Sequence, residues 1–327
     1  FEKYIQRYGV VPEINPVIFS NNSSCHSLVK KLIDLNCKPQ AYIDSRSGDK
    51  IEPDLLKIIH KENIPLFTNA HIEGCDGKKQ VQEISVRDSE GMITKLKSKM
   101  LCISGGFNPD VHLFTQSKGV LSWDDAYLTF KPDKSFQNTI VLGSAGGLFQ
   151  YSKLANDINS KLSFLNHEPI VPLDFKLNDS DDYVIEKLWE IKHEKESRWS
   201  KSFIDLQNDV TTKDLRQGIQ EGFDRIEHLK RFTTNSMGTD QGKISSINAL
   251  GIVSEILDKK VSEVGTTIYR PPYAPLSFAS IAGRATYNFY DPERKTPIHE
   301  WHKKNGAIFE DVGQWKRPWY FKNHSEE

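Results

Sequence analysis

The stretch from Asn15 to Arg46 constrains this chain most. It reads as a short strand, a turn, a helix and another strand: PVIFSNN, SSCHSLVKKLIDLN and PQAYIDS. Pro16 opens the first strand, Ser23 or Ser24 can cap the helix, and Val29, Leu32, Ile33 and Cys37 fall roughly on one helical face. This is the start of a βαβ unit and predicts an α/β fold. In dinucleotide-binding sheets the first turn is rich in glycine, so that a pyrophosphate can approach backbone N–H groups at the helix start. Here the turn is SNNSSCH, without glycine. Close approach is hindered, and this half-domain is expected to bind no dinucleotide in the usual way.

A second unit follows. Leu55 to Lys61 reads as helix, IPLFTNAHI as strand and turn, and VQEISVRD with ITKLKSKM as a hairpin joined through Ser89-Glu90-Gly91. Val81, Ile84 and Val86 alternate with polar residues, which suits an antiparallel pair covered on one face. The hairpin resembles the inserted domain of flavoproteins with two dinucleotide domains. MLCISGGFNPDV predicts a buried strand ending in Gly105-Gly106, and TIVLGSAGGLF a further strand running into glycines. A strand ending in two glycines lets backbone approach a phosphate or ribose closely. Gly143, Ser144, Ala145, Gly146, Gly147 and Leu148 are therefore candidate dinucleotide contacts; otherwise their glycines serve strand and helix packing.

The formal net charge of -1 over 327 residues gives no field for nucleic acid or an anionic membrane, and neither partner is expected. No apolar run approaches the about 20 residues that span a bilayer, and no signal peptide is visible, so the cytoplasm is the expected location. Cys25, Cys37, Cys75 and Cys102 lack metal-ligand spacing and are read as reduced thiols, with Cys102 inside a buried strand.

Residues 151–200 read as a linker, since the mixed charges of NDSDDYVIEKLWEIKHEKESRWSK suit a solvated connector. Residues 201–265 then read as a small helical module. Thr211 or Thr212 can cap a helix through Leu215, Ile219 and Phe223, Gly222 softens its end, and INALGIVSEIL makes a largely buried helix. The module resembles the helical [2Fe–2S] domains attached to flavin enzymes. On that resemblance the four ligand positions fall on Asp205, Gln207, Asp240 and Ser245, while Val210-Thr211, Asp214, Met237-Gly238 and Gln241-Gly242 keep their places. None of the four is cysteine. Oxygen and amide groups do not replace the soft thiolates that hold such a cluster, so no iron–sulfur cluster is expected.

A more specific resemblance rests on longer runs. EHLKRFTT (Glu227 to Thr234), GTDQGK (Gly238 to Lys243), VGTT (Val264 to Thr267) and RPPY (Arg270 to Tyr273) are similar to the alpha subunit of heterotetrameric sarcosine oxidase. So are SGGFNPDVHLFTQSKG (Ser104 to Gly119) and HEWHKKNGAIFEDVGQWKRPWYF (His299 to Phe321). The resemblance implies that residues 1–150 are part of a FAD/NAD-type dinucleotide-binding region whose G-x-G-x-x-G half lies upstream of Phe1. It implies that residues 266–327 lead into an aminomethyltransferase-like, folate-binding domain, so that the chain is a fragment. It further implies NAD on this subunit, FMN at a subunit interface, tetrahydrofolate in the C-terminal part, and beta, gamma and delta partner subunits acting on sarcosine. No catalytic residue carries over, because chemistry in that family occurs at the flavin of the beta subunit.

Pro271-Pro272 and Pro275 favour extended backbone after Gly265. Within it, Thr266, Thr267 and Arg270 offer hydroxyls and a guanidinium suited to a phosphate, and the resemblance makes them candidate flavin contacts. A stack of Arg270 on Tyr273 or Tyr287 is the packing counterpart. His299 and His302 stand three residues apart with Glu300 between, but two ligands do not make a metal site and no third falls nearby. Asp124-Asp125 and Asp181-Asp182 are read as turns or caps, and the Leu142 to Gly146 run lacks the spacing of a nucleophile elbow. Two other readings remain: a subunit of another flavin-linked amine or opine oxidase or dehydrogenase, and a non-catalytic assembly piece. The missing cysteines count against the opine type.

Overall fold

Strand β1 (Val17–Ser20) buries both of its faces, and that places it at the centre of a sheet. The computed structural model describes residues 1–166, 183–192, 201–284 and 286–322, in two units, 1–273 and 274–327. In the first unit, helix α1 (Glu2–Tyr8) precedes β1, and α2 (His26–Asp34), β2 (Ala41–Asp44), α3 (Pro53–Lys61) and β3 (Leu66–Phe67) follow it. The antiparallel strands β4 (His71–Asp76), β5 (Glu83–Arg87) and β6 (Ile93–Lys97) form a second sheet, and β7 (Leu101–Ser104) returns to the first. The first sheet is parallel, in the order β3-β2-β1-β7.

The period of two along β1 and β2 decides the layers. Ile18 and Tyr42 pack with Leu28, Val29 and Leu32 of α2 and Leu55 and Ile59 of α3. Val17, Phe19 and Ile43 point the other way and pack with Ile84 and Val86 of β5. The hairpin alternation read from the sequence therefore covers the second face of the parallel sheet. Two details differ from expectation. The first turn is capped by Asn22, whose Oδ1 accepts from the Ser24 N–H at 2.9 Å, and α2 starts only at His26. Strand β7 is half-exposed, because it lies at the sheet edge, and Ile103 is 68% exposed. Cys102 is accordingly only half-buried, although burial still pushes its thiol up to about 11.

Helix α4 (His112–Gln116) and the hairpin β8 (Val120–Asp124) and β9 (Thr129–Lys134) follow. Asp124 turns that hairpin, its Oδ1 accepting from the N–H groups of Ala126 and Tyr127 at 2.9 and 3.1 Å. The strand expected at Thr139 to Leu142 is not formed. A 3-10 turn occupies Gly143–Gly146, and α5 (Tyr151–Asn166) comes after it.

The helical module consists of β10 (Phe203–Asp205), β11 (Val210–Thr211), α6 (Thr212–Gln220), α7 (Ile226–Thr233), α8 (Ser245–Ile256) and α9 (Val261–Val264). Thr211 caps α6, and the Asp214 carboxylate accepts from both its N–H and its hydroxyl at 2.7 Å. Leu215, Leu229, Leu250, Ile252 and Val253 form the core of the module.

Residues 183–192 depart most from the sequence reading. This part of the expected linker is packed: Leu188 and Ile191 lie against the β5 side of the parallel sheet, and Trp189 lies in the core of the helical module. Arg216 of α6 grips Glu190 in a two-pronged ion pair at 2.6 and 3.3 Å. Asp181 and Asp182 lie outside the described residues.

The second unit contains α10 (Phe278–Ala282), α11 (His299–Lys304) and the antiparallel pair β12 (Ala307–Val312) and β13 (Trp315–Phe321). His299 is buried on α11 with its ring 4.4 Å from that of Phe309, which is the packing of a core histidine.

Candidate functional site: a cavity between the parallel sheet and the helical module

Open parallel sheets place their ligand crevices beyond the carboxyl ends of the strands. A cavity of about 820 Å³ begins there, at Phe19 and Asn21 after β1 and at Ser104, Gly105 and Gly106 after β7. It continues past Tyr127, Glu190 and Trp189 to Lys243, Ile247 and Asn248 of the helical module, and to Tyr269 and Tyr273. The walls thus combine aromatic rings with a few amides, carboxylates and one ammonium, the usual make-up of a small-molecule pocket.

Local sequence explains how the far wall is fixed. Proline at 271, 272 and 275 keeps the chain from coiling after Gly265, so its backbone polar groups need partners from elsewhere. Gln241 supplies them: its Nε2 donates to the Arg270 and Pro272 carbonyls at 2.7 and 3.1 Å, and its Oε1 accepts from the Arg270 N–H at 2.7 Å. The Tyr273 ring lies 4.1 Å from the His112 imidazole in a parallel stack, with the Lys243 ammonium 4.0 Å from its centroid and Tyr269 edge-on at 4.8 Å. Burial, then the neighbouring Tyr269 and the Asp110 and Asp240 carboxylates, push the Tyr273 phenol upward. Burial and the same two carboxylates raise Tyr269. Both phenols therefore face the cavity protonated, as hydrogen-bond donors at neutral pH.

The four positions aligned with cluster ligands come together in one polar network. Asp205 is buried, and its carboxylate accepts from the N–H groups of Gln207, Asn208 and Ser236 at 2.9, 3.1 and 2.8 Å. The Ser236 hydroxyl in turn bonds those of Ser245 and Ser246 at 3.1 and 2.9 Å. Gln207 Oε1 accepts from the Asp240 N–H at 3.3 Å. Among the described residues no group of three or more His, Cys, Asp or Glu is arranged to hold a metal.

Gly105 and Gly106 line this cavity as their position after a strand suggests, whereas the other candidate contacts lie elsewhere. Gly143 to Gly147 turn beside β9 and α5. Gly147 has φ +86°, and a Cβ there would stand 2.7 Å from the Lys131 side chain, so close packing against Lys131 requires glycine. Gly146 borders a separate cavity of about 480 Å³ together with Lys161. Thr266 and Arg270 are exposed and Thr267 is buried; none of the three lines the large cavity. The Tyr273 face is taken by His112 and Lys243. Sequence reading missed Asn21, Tyr127, Trp189 and Asn248. The apolar residues Leu188, Trp189 and Ile191 amid the charges were the available signal for a packed segment.

Comparison with known proteins now adds to the geometry. The chain is 31% identical over 328 residues, 99% of its length, to sarcosine oxidase subunit alpha of Rhizobium meliloti. The chain is a relative of that subunit. It is also 31% identical over 99% of its length to sarcosine oxidase subunit alpha of Corynebacterium sp. strain P-1. It spans 32% and 34% of these two relatives, about a third of their length. Residues 199–284 match the sarcosine oxidase A3 domain, so the helical module and the segment clamped by Gln241 fall within one family domain. An L-proline dehydrogenase from P. horikoshii has a TM-score of 0.53 at 19% identity, covering 85% of this chain and 51% of that one, and shows the shared fold. Among the described residues of this alpha-subunit relative no helix is long and apolar enough to cross a membrane.

Proposed function

We propose that the chain is part of the alpha subunit of a sarcosine oxidase complex that oxidatively demethylates sarcosine to glycine, passing the one-carbon unit to tetrahydrofolate and electrons through flavins to oxygen. One observation carries the reading: similarity to subunits of that name covers 99% of the chain. On this reading the partners are beta, gamma and delta subunits, and the complex works in the cytoplasm with NAD, FMN and tetrahydrofolate as its ligands.

The contribution of these residues is to bind and position. The cavity offers amides, carboxylates, neutral phenols and an ammonium, without a nucleophile and base arranged for covalent chemistry. Gly143, Ser144, Ala145, Gly146, Gly147 and Leu148 are assigned to dinucleotide contact; the support is a glycine turn that shares a cavity with the Lys161 cation. Thr266, Thr267 and Arg270 are assigned to the phosphate of the flavin, supported by an exposed guanidinium on a backbone fixed by Gln241. The helical module serves as a scaffold without an iron–sulfur cluster, because its four aligned positions carry oxygen and amide groups already engaged with one another.

The experiment is to make Arg270→Ala in the full-length subunit assembled with its partners, and to extract the flavins. The reading expects a clear loss of FMN. Unchanged FMN removes Arg270 from the flavin site, and absence of flavin from the wild-type complex overturns the whole assignment.

A further inference from the structure

The loop after β1 and the acidic end of β2 are where a parallel sheet of this kind receives a dinucleotide: phosphate on the loop amides, ribose on the carboxylate. In this chain three of those loop amides and the carboxylate are already used. The Asn22 N–H donates to Ser20 Oγ at 3.2 Å, the Ser23 N–H to the Val184 carbonyl at 3.0 Å, and the Ser24 N–H to Asn22 Oδ1 at 2.9 Å. At the end of β2, both oxygens of the buried Asp44 carboxylate accept from Arg46, Oδ1 from Nε at 3.0 Å and Oδ2 from Nη2 at 2.9 Å.

The donor to that loop is the chain itself. Residues 183–186 run antiparallel to it: Val184 N–H donates to Ser23 Oγ at 3.0 Å, Glu186 N–H to the Asn21 carbonyl at 2.8 Å, and Asn21 Nδ2 to the Glu186 carbonyl at 2.8 Å. Arg46, fully buried, bridges both sides, since its Nη1 reaches the Val184 carbonyl at 3.3 Å and its Nη2 the Asn22 carbonyl at 3.2 Å. Glycine after β7 completes the arrangement. A Cβ on Gly106 would stand 2.6 Å from Ile185 Cδ1 and 2.8 Å from the Tyr183 hydroxyl, so the space it opens is filled by those two side chains. The Tyr183 ring lies parallel to that of Tyr127, with centroids 5.9 Å apart.

We propose that Tyr183–Glu186 is a built-in occupant of the dinucleotide crevice at the carboxyl ends of β1 and β2, so that this sheet takes no dinucleotide and instead anchors the connector to the helical module. The backbone of the segment supplies the acceptor a phosphate would supply, Arg46 takes the carboxylate a ribose would take, and Tyr183 lies against an aromatic face as a base would. The inference is independent of the sarcosine reading, and NAD bound elsewhere on the complex leaves it intact.

Hydrogen exchange on the full-length, assembled subunit tests it, with NAD and ADP as separate probes. Peptides covering 20–24 and 183–186 are expected to exchange as slowly as the β1 and β2 peptides, and to change less than about twofold with either nucleotide. Faster exchange at 183–186 with slower exchange at 20–24 on adding NAD or ADP would show displacement and overturn the proposal. So would rapid exchange at 183–186 without nucleotide. Val184→Pro removes the N–H given to Ser23, and Arg46→Met removes the bridging guanidinium. Either is expected to speed exchange at 183–186 at least tenfold while 17–20 and 41–44 stay protected. Should Arg46→Met fail to fold, Val184→Pro decides alone, and unchanged protection there would contradict the occupant role.

Discussion

The carboxamide of Gln241 pairs with the backbone of Arg270 in both directions, its oxygen on the N–H and its nitrogen on the carbonyl, each at 2.7 Å. One side chain thereby stands in for the strand partner that a proline-rich segment cannot recruit. Gln241→Ala should cost about 1–2 kcal/mol and raise hydrogen exchange across 269–273 selectively. Unchanged exchange there, measured by mass spectrometry, would show that the segment is held by its aromatic contacts and by Lys243 and Gln116 on the Tyr273 and Tyr269 carbonyls, without Gln241.

Asp205 accepts three backbone N–H groups from inside the polar network. Asp205→Ala deprives the buried Ser236 N–H of its acceptor and leaves the Gln207 and Asn208 N–H groups of the exposed loop to water, and should destabilise the protein by about 1–3 kcal/mol. Asp205→Asn keeps one acceptor oxygen and should cost less. Denaturant unfolding of the two variants checks the order, and equal losses would mean that the carboxylate is not the organising group.

Glu190 gives an acid limb to stability. Burial alone would raise its carboxyl, but hydrogen bonds from Arg216 and Thr212 and the guanidinium charge outweigh it and hold the group below its ordinary 4.5. A group depressed on folding stabilises above its unfolded value and loses that contribution as pH falls through the folded one. The stability advantage of wild type over Glu190→Gln should thus be full above about pH 5 and shrink as pH drops toward 3. Thermal unfolding across that range measures it; a constant difference would place the ion pair outside the stability balance.

Gly251 sits inside α8, where alanine would ordinarily stabilise a helix by about 1 kcal/mol. Here a Cβ would collide with the Trp189 indole. Gly251→Ala should therefore destabilise by about 1–3 kcal/mol, with a changed Trp fluorescence. A stabilised variant would mean that residues 183–192 do not pack on the helical module.

Much of this was legible in the sequence because local pattern and tertiary environment agree. Val29 and Leu32 meet the sheet as their helical spacing requires, Ile84 and Val86 cover its other face, and Thr211 with Asp214 starts α6. The resemblance to cluster domains also chose four positions that lie around one hydrogen-bonded loop. The failures share a cause, which is that partners far apart in the chain decided the outcome. Tyr183 to Ile191 carry a charge pattern that suits a solvated connector, yet Leu188 and Ile191 fit one core and Trp189 another. Gly105-Gly106 promised a ligand, and Gly106 receives Ile185 and Tyr183. Thr139 to Leu142 have strand composition, but among the described residues no strand pairs with them.

The central claim is that this chain serves sarcosine oxidation, and anaerobic reduction of the flavin in the full-length complex by candidate amines tests it most directly. The account predicts rapid bleaching by sarcosine, none by an opine such as octopine, and no stoichiometric iron or acid-labile sulfide in the same preparation. Bleaching by the opine with sarcosine inert, or a complex carrying an iron–sulfur cluster on the 201–265 module, would contradict it.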